Sequence, residues 1–196
     1  MADGESSLSL DIAAYLGHTS SRDLLGVKAP LPFGLVSMKH GGDRQWRRAM
    51  QAIGHEPVAK AACSIAEMAL AAYSKNPDSV AEVESQAKLA VESLSSWRNA
   101  PISPETRTAV ERNAIRFSLN VNVGGMLRDH SGFRGQSLGR IIGKCASVVL
   151  APENPRYVRW FGEAAESLCK DFRVSEAQIC AAIAKAFQPC LFINEH

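Results

Sequence analysis

Ile115-Arg116-Phe117-Ser118-Leu119-Asn120-Val121-Asn122-Val123, followed by Gly124-Gly125, is the stretch on which the fold class turns. Its apolar residues alternate strictly with polar ones, which is the period of a strand, and Asn and Val are poor helix-interior residues. A strand needs a partner, however, and only residues 34–38, 147–151 and 191–194 offer comparable runs. The competing reading takes Val110, Ala114, Phe117 and Val121 as one helical stripe at spacings of three and four. Helix is the expectation, bent near Gly124, with a small sheet including 115–123 as the alternative.

On both sides of this stretch the signals are helical. Asn76-Pro77 and Asn154-Pro155 each pair an N-cap side chain with a proline where a helix loses nothing by the missing N–H. The stripes Val80, Val83, Ala87, Val91, Leu94, Trp97 and Val158, Phe161, Ala165, Leu168, Phe172 follow them. Ser103-Pro104-Glu105 is a third start, and Ser175 with Gln178 a capping box, Val174 and Ile179 closing over it as a staple. Pro189 is expected to end that last helix. Pro57 opens another, with an inner face of Val58, Ala61, Ala62, Ile65, Ala69 and Ala72. Shorter helices are expected around Ile12 to Leu16 and Trp46 to Ile53.

Gly135, Gly139, Gly143, Ser147 and Ala151 recur every fourth residue. On a helix they form a ridge of small side chains, a groove into which another backbone can pack. Interior glycine costs about 1 kcal/mol relative to alanine, so close packing is the expected compensation. The run Gly139 to Cys145 fails as a phosphate-binding loop: its glycines are misspaced, and Cys145 stands where a hydroxyl must meet Mg²⁺.

The fold expected is therefore all-α, a compact bundle of about seven or eight mostly antiparallel helices. It forms a single domain over residues 1–196, with 1–7 flexible and 29–42 an irregular connection. At 46% hydrophobic the chain can bury a core without a disulfide or metal staple. No run approaches the ~20 apolar residues that span a bilayer, so no membrane partner is expected. The polar start MADGESS carries no secretory pattern, and five scattered cysteines fit a reducing, cytoplasmic compartment. Five histidines show no metal-ligand spacing, and no nucleophile motif occurs. No catalytic residue, metal or cofactor is assigned.

The cluster that stands out is cationic. Arg44, Arg47 and Arg48 share a helical face near a helix start, where unpaired N–H groups favour anions. Further on, Arg128, Arg134, Arg140, Lys144, Arg156 and Arg159 meet only Asp129 and Glu153 in sequence, and Trp160 follows Arg159 outside the apolar stripe. Cation beside exposed aromatic suits a nucleic-acid backbone or a stacked base. The net charge of +2 fits the other reading equally well, in which these arginines pair with the acidic stretch from Asp78 to Glu92, within or between copies. The expected function is a non-catalytic helical binding module or subunit of a larger assembly, with arginine clusters on nucleic-acid phosphates. The first alternative is a protein-only inhibitor, immunity-type or adaptor protein, and the second, ranked below it, a helical enzyme with an unrecognised site. A protein partner or homo-oligomer is expected.

Overall fold

The computed structural model describes residues 54–99, 103–124 and 131–191, and these are helical with no strand among them. In chain order α1 is His55–Ser74, α2 Ala81–Asn99, α3 Pro104–Val110, α4 Arg116–Leu119, α5 Gly132–Leu150, α6 Tyr157–Phe172 and α7 Glu176–Leu191. The helices expected at 12–16 and 46–53, the irregular connection expected at 29–42 and the flexibility expected of 1–7 all fall outside the described residues.

The ambiguous stretch is helical, and its sheet alternative is overturned. The π-helical turn Glu111–Ile115 joins α3 to α4, and a second, Asn120–Gly124, extends α4, giving one rod over residues 104–124. In the second π turn the Asn122 amide donates to the Ser118 carbonyl at 3.0 Å. That oxygen is also the acceptor an α-helix would offer to the backbone N–H of Asn122, so the side chain bonds the helix backbone one turn back.

The rod explains the misleading alternation, because it packs on two sides. Val110, Ala114, Phe117 and Val121 are buried and form the expected stripe. Ser118 and Asn122 sit against the glycine ridge of α5. A Cβ added to Gly139 would stand 2.0 Å from Val121 Cγ2 and 2.7 Å from Asn122 Nδ2. One added to Gly143 would lie 2.7 Å from Ser118 Cβ. The expected close approach occurs, and the partner is this rod. Ser118 and Asn122 therefore face a helix here beside Val121, short side chains against glycine.

α1 and α5 are packed together in the interior. α5 also touches α2, α6 and the rod, while α1 also touches α2, α6 and α7. Alanines on α1 (Ala59, Ala61, Ala62, Ala66, Ala69) are fully buried, which permits this approach. Ser103 caps α3 from the position before Pro104, its hydroxyl accepting from the Thr106 N–H at 3.5 Å. Ser175 and Gln178 make the reciprocal capping bonds at 3.2 and 3.3 Å.

Some boundaries differ. α1 begins at His55, which puts Pro57 inside the first turn, where an N–H has no helical acceptor. α2 begins at Ala81, because Asn76-Pro77 forms a turn of its own, with the Ser79 N–H on the Asn76 carbonyl at 3.0 Å. At Asn154 the side chain accepts from the Arg156 N–H at 3.0 Å, and α6 starts at Tyr157. α7 continues past Pro189 to Leu191.

Tyr73 ties the α1–α2 turn to the core: its ring is buried and its hydroxyl accepts from the Val80 N–H at 2.9 Å. Tyr73→Phe keeps the ring and deletes that acceptor. A loss of about 1 kcal/mol in urea-unfolding stability is expected.

Candidate functional site

Of the ten residues singled out by sequence, Arg44, Arg47, Arg48 and Arg128 lie outside the described residues. The others fall on α5, on α6 or just before α6. α5 and α6 pack side by side, which brings Arg140, Lys144 and Arg159 onto one face. Acidic residues of α6 meet them there. Glu163 receives Lys144 Nζ on one oxygen and Arg159 Nε on the other, each at 2.7 Å. Arg140 lies 3.9 Å from Asp171 and donates to Ser137 Oγ at 2.8 Å. One turn on, Glu166 takes Lys170. The face carries interleaved signs.

The acidic stretch from Asp78 to Glu92 is not their partner among the described residues. Glu84 binds Lys88 instead. The compensating carboxylates come from α6, the next helix in the chain. Arg134 and Arg156 are exposed, with no carboxylate at ion-pair distance among the described residues.

Trp160 is not the exposed aromatic expected of it, because it is half-buried against the core. The aromatic beside a cation is Phe133, at the start of α5 and 65% exposed. The Arg140 guanidinium sits 5.8 Å from its ring centroid, within cation–π range. Sequence reasoning passed over Phe133 because nothing in its spacing sets it apart from a core residue.

Burial alone pushes the Glu163 carboxyl up, but hydrogen bonds from Lys144 and Arg159 outweigh it and hold the carboxyl below its ordinary value. A depressed carboxylate contributes stability above its unfolded pKa and loses it as pH falls through the folded one. Lys144→Gln is therefore expected to lower stability at neutral pH by up to about 1 kcal/mol, with the gap closing in acid. Urea midpoints of both proteins along a pH series check this.

A second concavity of about 440 Å³ has His55, Trp97, Ser103, Arg107, Leu150 and Pro152 on its walls. Its polar groups serve the fold. His55 Nε2 contacts the Val148 carbonyl at 2.6 Å, and the ring stands edge-on to Trp97 and Tyr157. Glu56 pairs with Lys60 and Arg107 with Glu111, while the Ser103 hydroxyl holds the α3 cap and bonds Glu105. Burial pushes the Cys63 thiol up to about 12 and that of Cys145 higher still, so neither supplies a thiolate near neutrality.

A third surface lies between α2 and the rod. Gln86, Leu89, Arg112, Arg116 and Asn120 line a groove of about 440 Å³ over the Phe117 ring. Arg112 and Arg116 are exposed and meet no carboxylate at ion-pair distance among the described residues. The sequence signal for them was the spacing of four, which has meaning only once this stretch is read as a helix.

No protein-family model matches the chain, and neither a curated protein nor a solved structure is detectably similar to it. No described helix is long and apolar enough to cross a membrane.

Proposed function

We propose that the protein is a non-catalytic helical binding module, a cytoplasmic subunit of a larger assembly, whose partner is another protein. In this reading residues 1–196 form one domain of about seven or eight mostly antiparallel helices. The observation that carries it is the α5–α6 face, where Arg140, Lys144 and Arg159 each stand against a carboxylate of α6. A duplex or single strand calls for a run of uncompensated cations. Interleaved signs suit a partner surface of matching pattern, which gains specificity and association rate from them.

The second reading, contact with nucleic-acid phosphates, has one observation in its favour. Phe133 is exposed with Arg134 next to it and Arg140 over its ring, a combination on which a base can stack. Arg44, Arg47, Arg48 and Arg128 would add phosphate contacts. Fluorescence anisotropy of a labelled single-stranded oligonucleotide across a salt series separates the two. The protein-partner reading expects no binding that depends on Arg134 and Arg140. An affinity falling by about 0.7 log units per phosphate per decade of salt, and abolished by Arg134→Glu with Arg140→Glu, would establish the nucleic-acid reading instead.

A further inference from the structure

We propose that the groove between α2 and the rod over residues 104–124 is where two copies of this chain pair. Leu89 is 54% exposed, Leu119 52% and Val123 68%. They are three of the four large hydrophobics exposed among the described residues, and all lie on these two elements. On the rod, Arg112, Arg116, Leu119 and Val123 follow one another at helical spacing and are all exposed. On α2, Glu82 and Gln86 share a flank with Leu89, and Glu92 follows one turn later. Glu82 and Glu92 are exposed and, like Arg112 and Arg116, have no ion-pair partner among the described residues.

The patch thus holds positive groups on one helix, negative groups on its neighbour and apolar side chains with them. Nucleic acid, or a uniformly acidic protein, would be repelled by Glu82 and Glu92. A second copy fits both signs at once. A twofold axis running along the groove sets α2 of each copy over the rod of the other. Glu82 and Glu92 then face the flank of Arg116 and Arg112, while Leu89 and Leu119 are covered. An isologous contact requires this self-complementarity, since residue i must meet j while j meets i. The inference concerns a different face from the α5–α6 surface, and it stands or falls separately from the function proposed above.

Light scattering coupled to size exclusion, over a concentration series, tests it on the full chain. The wild-type protein is expected at twice 21.2 kDa. Arg112→Glu with Arg116→Glu should give a folded monomer by circular dichroism, and so should Glu82→Lys with Glu92→Lys, because each sets like charges face to face. Mixing the two variants in equal amounts should restore the doubled mass, since both contacts of the mixed pair are again opposite in sign. A wild-type mass of one chain at every concentration would overturn the proposal. So would a dimer indifferent to the reversals, or variants that stay monomeric when mixed.

Discussion

Gly139→Ala is expected to destabilise the protein by about 2 kcal/mol, although alanine is the better helix former by about 1 kcal/mol. The reason is steric: the new methyl would stand 2.0 Å from Val121 Cγ2, far inside contact distance. Val121 is fully buried, so it cannot swing into solvent to make room. Either α5 or the rod must move, and each is packed against other helices. The Asn122 amide lies 2.7 Å from the same point, so a shift also disturbs its bond to the Ser118 carbonyl within the second π turn.

Val121→Ala in the same chain provides the control. Alone it deletes buried methyls, at a cost of roughly 1–3 kcal/mol. Combined with Gly139→Ala it removes the nearer of the two clashing atoms and leaves the Asn122 amide, the end of a side chain, as the other. The double variant should then be more stable than the sum of the two losses by about 1 kcal/mol or more in a urea-unfolding cycle. Additive losses would mean that the two residues do not touch.

Phe161→Ala is expected to have the largest effect of any substitution considered, a loss of about 4 kcal/mol. Phe161 is among the largest fully buried side chains, on the inner face of α6. Removing its ring forfeits the transfer free energy of the buried atoms and leaves a void that surrounding helices close only in part. Its neighbour Trp160 is the internal comparison. It is half-buried against the same core, so Trp160→Ala should cost less, about 2 kcal/mol, despite deleting a larger ring. Equal losses would contradict the division of α6 into an inner and a flanking aromatic. Chemical denaturation followed by circular dichroism reads both.

Much of the architecture is legible from residue spacing, and the exceptions have physical causes. The Ser103 cap and the Ser175–Gln178 box are local chemistry, so they could be read without knowing the neighbours. The glycine ridge was readable for the same reason, though not the identity of what packs into it. Residues 115–123 are helical as expected, and their strand-like alternation arises because this rod packs on two sides, the second lined by Ser118 and Asn122 against glycine. Asn76-Pro77 carries the composition of a helix start while making only a turn.

The candidate site was less legible. Arg140, Lys144 and Arg159 do come together, but their carboxylate partners sit on α6, so the charge balance of the face exists only after folding. Arg112 and Arg116 had only a spacing of four to mark them, which many surface arginines on a helix share.

Whether the cations of the α5–α6 face are committed to internal carboxylates is best tested at Glu163, by side-chain carboxyl ¹³C titration in the wild-type protein and in Lys144→Gln. The account predicts a Glu163 pKa below the ordinary glutamate value, rising when the ammonium is removed. An ordinary value in both proteins would mean that Lys144 is free, and the face would then present positive charge open to a polyanion.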